Sequence, residues 1–200
     1  NSSAHMAAQG DITVGNVTAD NVSLLSRNGA IVNAAESTMN VTATNLRLDA
    51  QGSIGESDNH LTTTVDVITA LSEAGSIFVT ETDGVNVDDV TVAVSEFTAT
   101  TGTTGVTDAT QSDLTTGDDG DIVLVANLGD IVLNDGADGN GFALNANGSG
   151  NVLLDAVAGS LIANADIVSG TGQLTLKAQS NITLNGGVEV ATATDGTISL

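Results

Sequence analysis

The 200-residue sequence contains no Cys, no Pro, no Trp and no Tyr, and only three Phe. Without Cys there is neither a disulfide framework nor a thiolate metal site. Because Pro interrupts a strand ladder, its absence suits a chain whose backbone N–H groups are committed to sheet hydrogen bonds. The scarcity of aromatic side chains argues against a core built on large anchors and favours a thin core of stacked aliphatics.

Basic residues are also scarce. Arg27, Arg47 and Lys177 stand against 25 acidic residues, which gives a formal net charge of −22. Nucleic acids and anionic lipid surfaces attract clusters of Lys and Arg, so neither is an expected partner. No apolar run approaches the ~20 residues that span a bilayer, so no membrane insertion of this segment is expected. Because 40% of the residues are hydrophobic, many of them β-branched, we expect a folded chain.

A recurring motif carries the main signal for the fold. It consists of Gly or a small polar residue, a second polar or small residue, and then alternating aliphatics; we call it the anchor motif. The leading copies begin at Gly10, Gly29, Gly52, Gly75, Gly120, Gly150, Gly172 and Gly196. Their successive spacings are 19, 23, 23, 45, 30, 22 and 24 residues, which is typical of stacked repeats that share a core. The 45-residue spacing indicates either two turns or one turn plus an insertion.

Strict alternation of aliphatic and polar residues predicts short strands between bends rich in Gly, Asn, Asp and Ser. Residues 61–74 fit a helical period, but their Thr and Val content favours a strand. We therefore predict an all-β parallel β-helix (solenoid) with coils of about 22 residues. Residues 7–200 should form one such segment, with a Thr- and Gly-rich insertion around 98–119 as the expected place for a specific contact. Residues 1–6 resemble a cloning remnant.

Asn residues crowd the second half of the chain. They are Asn134, Asn145, Asn147, Asn151, Asn164, Asn181 and Asn185. Asn tolerates left-handed backbone at bends, and stacked Asn side chains can form hydrogen-bonded ladders. Both interpretations remain open from the sequence.

Several stretches are similar to repeats of filamentous haemagglutinin-like giant bacterial exoproteins. The similarity is clearest in Leu46-Arg-Leu-Asp-Ala-Gln-Gly-Ser-Ile-Gly55 and in residues 61–65, 75–85 and 148–156, and its repeat style extends over nearly all of residues 10–200. The resemblance implies a right-handed β-helix, secretion to the bacterial cell surface, and a role in adhesion or biofilm. It also implies that the parent protein contacts a host or neighbouring-cell surface or a matrix polysaccharide, and that flanking repeats stack on both ends.

These observations predict a structural stalk or adhesive module without catalytic activity. The rival is a carbohydrate-acting lyase or hydrolase on the same scaffold, because abundant acidic residues can supply the carboxylate pair of a glycosidase. Against this rival, the three basic residues lie far apart in sequence, and aromatics that could stack on sugars are scarce. His60 stands alone and is interpreted as a loop residue.

A calcium-stabilised binding module is the third possibility. Asp135, Asp138 and Asn140 place three oxygen-bearing side chains on a Gly-rich bend, and Ca²⁺ prefers such ligands. A plain acidic turn is the competing interpretation, because no downstream Glu stands at the spacing of a standard calcium loop. The weaker candidates are Asp88, Asp89, Asp118, Asp119 and Asp121.

Overall fold

Short strands run along the whole chain, as the alternation predicts. The structure, a computed structural model, describes residues 1–35, 37–100, 102–193 and 195–200, and these residues contain no α-helix. The all-β prediction is therefore confirmed. Among the same residues no helix is long and apolar enough to cross a bilayer. The strands are β1 Ser3–Ala8, β2 Ile12–Val14, β3 Val17–Thr18, β4 Asn21–Ser26, β5 Ile31–Asn33, β6 Val41–Ala50, β7 Leu61–Ser72, β8 Ile77–Glu81, β9 Val85–Val87, β10 Ala93–Thr98, β11 Gly102–Thr107, β12 Leu114–Thr116, β13 Ile122–Ala126, β14 Ile131–Leu133, β15 Phe142–Ala146, β16 Val152–Ala156, β17 Leu161–Ala163, β18 Asp166–Ser169, β19 Leu174–Ala178, β20 Ile182–Leu184, β21 Val190–Thr192 and β22 Ile198–Ser199.

Most of these strands form one large, curled parallel sheet. The first stack runs through β1, β4, the second halves of β6 and β7, β12, β15, β18 and β21. The second stack runs through β2, β5, β8, β13, β16, β19 and β22, with Ile54 bridging β5 and β8. The third stack contains β9, β14, β17 and β20. A shorter stack, formed earlier in the chain, contains β3 and the first residues of β6 and β7.

The anchor motifs pair with one another in the second stack. The third residue of each leading motif pairs with that of the next, in the order Ile12, Ile31, Ile54, Ile77, Ile122, Val152, Leu174 and Ile198. Each sequence spacing therefore corresponds to one step between neighbouring strands. Because Ile77 pairs directly with Ile122, the 45-residue spacing is one step plus an insertion.

The core is a column of aliphatic side chains between the stacks. Leu48, Ile77, Leu124 and Leu161 are fully buried, and burying such a side chain stabilises the fold by about 1.5–3 kcal/mol. None of the three Phe belongs to the buried core: Phe97 is exposed, and the other two are only partly covered. The prediction of an aliphatic core without aromatic anchors is confirmed.

The first two residues of the anchor motif hold neighbouring repeats together. A Cβ on Gly150 would lie 2.0 Å from the carbonyl oxygen of Gly120, so the close approach of the two backbones requires Gly. Where the second residue is polar, its side chain accepts a backbone hydrogen bond from its counterpart in the next repeat. Asn151 N donates to Asp121 Oδ1 at 2.7 Å, and Gln173 N donates to Asn151 Oδ1 at 2.9 Å. The polar side chain therefore accepts a backbone N–H at the bend before the second stack, which would otherwise be unsatisfied.

The insertion is an antiparallel pair of strands outside the parallel sheet. Strands β10 and β11 pair from Ala93↔Thr107 to Thr98↔Gly102, and a bridge between Val90 and Gln111 closes its base. The predicted range of 98–119 is therefore displaced, because β12 at 114–116 already belongs to the first stack. Residues 90–94, which lead into β10, alternate as a sheet strand does, and this explains the late predicted start. Thr101, within the predicted range, lies outside the described residues.

The first residues of the chain also belong to the sheet. The sequence predicts a folded segment that starts at residue 7, yet Ser3–Ala8 forms β1 and pairs in parallel with β4. This pairing corrects the start of the folded segment from residue 7 to residue 3. Their interpretation as a cloning remnant concerns origin and stays a prediction.

Candidate functional site

Three carboxylates meet at one corner of the sheet. The corner between the third and first stacks carries the insertion in one repeat and the loop 134–141 in the next. Asp113, at the exit of the insertion, lies beside Asp135 and Asp138 of that loop, and one carboxylate oxygen from each lies within 4.8 Å of the others. The structure thus brings together two of the predicted ligands and adds Asp113, which sequence reasoning missed.

The loop reaches this position through left-handed backbone. Gly136, Gly139 and Gly141 have φ angles of 73°, 64° and 91°, which Gly adopts without steric cost. Gly141 N donates to Asp135 Oδ1 at 2.8 Å and so closes the loop on itself. Asp113 also has a positive φ of 67°, which Asp tolerates better than most residues.

Asn140 lies between two of the carboxylates. Its Nδ2 donates to Asp138 Oδ2 at 2.7 Å and to Asp113 Oδ2 at 3.0 Å. Its Oδ1 accepts the backbone N–H of Phe142 at 2.7 Å. Asn140 therefore contributes hydrogen-bond donors here, whereas the sequence suggested an oxygen ligand.

Asp113 is the most unusual member of the cluster. It is 2% exposed, and its Oδ1 has no hydrogen-bond partner among the described residues. Burial raises the pKa of the Asp113 carboxyl to about 7; the Asn140 amide lowers it, and the charges of Asp138, Asp135 and Asp88 raise it further. No local pattern marks Asp113 as a partner of residues 22 or more positions later, because only the pairing of repeats brings them together.

The weaker acidic candidates have other partners. Asp119 Oδ1 accepts Ser149 N, and Asp121 Oδ1 accepts Asn151 N, both at 2.7 Å. Asp118 is exposed. Asp119 and Asp121 therefore tie neighbouring repeats by accepting backbone N–H groups. None of the three belongs to a metal cluster among the described residues.

A side-chain ladder runs past the same corner. Asn185 Nδ2 donates to Asn164 Oδ1 at 2.5 Å, Asn164 Nδ2 to Asn134 Oδ1 at 2.8 Å, and Asn134 Nδ2 to Asp88 Oδ2 at 3.1 Å. The ladder interpretation is therefore right for three of the seven Asn residues. Asn151 instead forms the corner hydrogen bonds of the anchor motif.

The insertion rests on polar side chains of the first stack. Arg47, only 7% exposed, donates from Nε to Ala109 O at 3.3 Å and pairs with Asp49 at 2.8 Å. Gln111 Nε2 donates to Leu48 O at 2.8 Å. These contacts attach the base of the insertion to the outer face of the sheet rather than to its aliphatic core.

Two other titratable groups have well-defined surroundings. His60 Nδ1 is 2.8 Å from Thr80 Oγ1, its ring lies 5.7 Å from that of Phe78, and burial lowers its pKa. Glu81 is fully buried and accepts hydrogen bonds from Thr63 Oγ1 at 2.6 Å and from Thr82 N at 2.9 Å. Burial raises the pKa of the Glu81 carboxyl to about 7 despite these donors.

Comparison with known proteins gave no match to a protein-family model, a curated protein or a solved structure.

Proposed function

We propose that the chain is a segment of a right-handed parallel β-helix with coils of about 22 residues. In this proposal it forms part of the stalk of a secreted bacterial surface exoprotein that acts in adhesion or biofilm. The main support is the pairing of the anchor motifs, which keep one register at every step from Ile12 to Ile198. Repeats that each contact only their neighbours in this way are typical of a β-helical stalk.

The insertion is the proposed contact element. It lies outside the parallel sheet, and Phe97 on β10 is 79% exposed. An exposed aromatic on this hairpin offers an apolar anchor for a cell surface or a polysaccharide. The contact would therefore depend on this hairpin and not on the regular stacks.

A duplication tests the stalk. A second copy of residues 150–195 placed directly after residue 195 keeps the anchor motifs in sequence and adds two repeats. In a β-helix the longest dimension should grow by roughly 10 Å at unchanged cross-section, because stacked strands lie about 4.8 Å apart. Small-angle X-ray scattering measures both quantities. A thicker particle of unchanged length would contradict the proposed coil.

Adhesion is tested with beads coated with the protein. Retention on bacterial cell layers and on polysaccharide films should fall in a variant in which a short Gly turn replaces residues 93–107. The two ends already lie side by side, because Asp108 N donates to Val92 O at 2.9 Å, and Ala109 stays in place to accept from Arg47. Unchanged retention would remove the insertion from the proposal. Shortening of any polysaccharide by the protein, abolished by substituting one carboxylate pair, would favour the enzyme instead.

A further inference from the structure

The corner cluster lacks a cationic partner. The ion pairs formed by the described residues involve Asp20, Asp49, Asp108 and Asp155, and none reaches Asp113, Asp135 or Asp138. A buried carboxylate without a counter-charge is strongly unfavourable unless it is protonated or coordinates a metal. The gathering of two further carboxylates around such a group therefore requires a physical explanation.

The buried oxygen of Asp113 supplies a second, independent observation. Asp113 Oδ2 faces Asn140 and, through it, Asp138, so the carboxylate points into the cluster. Its Oδ1 is buried and has no donor among the described residues. A plain acidic turn would leave its carboxylates in water, where each oxygen is solvated. The buried, unpartnered Oδ1 of Asp113 therefore indicates a bound cation to which its lone pairs can coordinate.

We propose that Asp113, Asp135 and Asp138 bind one hard divalent cation of the Ca²⁺ class. All three ligands are carboxylate oxygens, which suit hard cations and disfavour softer metals that select Cys or His. One carboxylate oxygen from each residue lies within 4.8 Å of the others, so all three can reach a single ion at the bond lengths of about 2.3–2.6 Å that Ca²⁺ takes. Mg²⁺ demands near-ideal octahedral geometry, whereas Ca²⁺ accepts the irregular arrangement of ligands that a loop provides.

The ion would join two neighbouring repeats. Asp113 leads directly into β12 at the exit of the insertion, while Asp135 and Asp138 belong to the loop before β15, the next strand of the same stack. Binding would therefore fix the insertion and the loop 134–141 against each other. Removal of the ion should loosen both segments together and leave the other corners unchanged.

Isothermal titration calorimetry of CaCl₂ into chelator-treated protein tests the site. About 1 M NaCl shortens the Debye length to about 3 Å and removes diffuse attraction to the acidic surface. We expect one ion per chain under these conditions. Asp113→Asn and Asp138→Asn should weaken binding at least about tenfold, because each removes a charged ligand. Asp58→Asn is the matched control, since Asp58 is exposed and outside the cluster, and it should bind like the wild type.

Thermal melting separates a lost site from a damaged fold. Without Ca²⁺, Asp113→Asn should melt at or above the temperature of the wild type, because it removes a repelled buried charge. In Ca²⁺ and high salt, the wild type should gain stability and the variant should not. Asp138→Asn, at an exposed position, gives the same comparison with little risk to folding. The proposal is overturned if NaCl alone reproduces the stabilisation or if both variants keep the Ca²⁺ response.

Discussion

Gly150→Ala should separate two repeats that touch through their backbones. The new Cβ would lie 2.0 Å from Gly120 O and 2.8 Å from Gly120 C, whereas ordinary contact begins near 3.4 Å. The repeats must therefore move apart by about 1.4 Å at this corner. No strained φ is involved at Gly150, so the effect comes from the contact alone.

Moving these two repeats apart should break hydrogen bonds between them as well as create strain. Ile122 N donates to Asn151 O at 2.8 Å, and Asn151 N donates to Asp121 Oδ1 at 2.7 Å, both beside the clash. Overpacking costs about 1–3 kcal/mol, and each lost hydrogen bond costs about 1 kcal/mol. A total of about 3–5 kcal/mol should lower Tm by roughly 10 °C for a chain of this length.

Far-UV circular dichroism follows the melting, since the chain has no Trp or Tyr. Gly10→Ala is the matched control: it has the same place in the anchor motif, but nothing lies within 4 Å of its Cβ. Its Tm should stay within about 2 °C of the wild type. Hydrogen exchange should localise the loss of protection in Gly150→Ala to β13 and β16. Equal effects of the two substitutions would refute the close-approach explanation.

Three further predictions concern single polar side chains. The raised pKa of Glu81 means that its stabilisation is complete below about pH 4.5 and is lost as pH rises through about 7. Glu81→Gln should therefore flatten the fall of Tm between about pH 5 and 8. Asn164→Ala breaks the ladder on both sides and should cost about 1–2 kcal/mol in denaturant unfolding. Asn181→Ala, at an exposed position outside the ladder, should cost little. Asp121→Ala leaves Asn151 N unpaired and should cost about 1 kcal/mol, while Asp118→Ala at an exposed neighbour should be nearly neutral.

The stacking register could be predicted because the anchor motif marks it directly. Only Gly allows the contact seen at Gly150, and a polar residue after it, such as Asn151, accepts the backbone N–H of the next repeat. Spacing in sequence therefore becomes pairing in the sheet. The insertion boundary was less accessible. Residues 90–94 alternate as the strands of the stacks do and lead into β10, and only the antiparallel pairing of β10 with β11 reveals the insertion.

The candidate site could be predicted only in part, for a different reason. Asp135 and Asp138 share one Gly-rich loop, so sequence proximity reveals them together. Asp113 precedes an ordinary strand and becomes relevant through the pairing of β12 with β15. The amide of Asn140 is equally able to donate or accept, and its role depends on the backbone N–H of Phe142. Neither the strand pairing that places Asp113 nor the hydrogen bond that orients Asn140 can be inferred from the order of residues.

The placement of acidic residues elsewhere gives a further reason to regard the cluster as unusual. Asp121 accepts the backbone N–H of Asn151 in the next repeat, and Asp130 accepts that of Ser160. Each of these carboxylates therefore faces a neutral residue. Asp155 faces Lys177 in the next repeat. Because stacked strands lie only about 4.8 Å apart, such alternation keeps like charges from facing one another. Asp166 followed by Glu189 is an exception, but both lie at a solvated corner. At Asp113 a buried carboxylate meets two others with no basic residue between them, and a cation would restore there the charge compensation that the other corners obtain from neutral or basic neighbours.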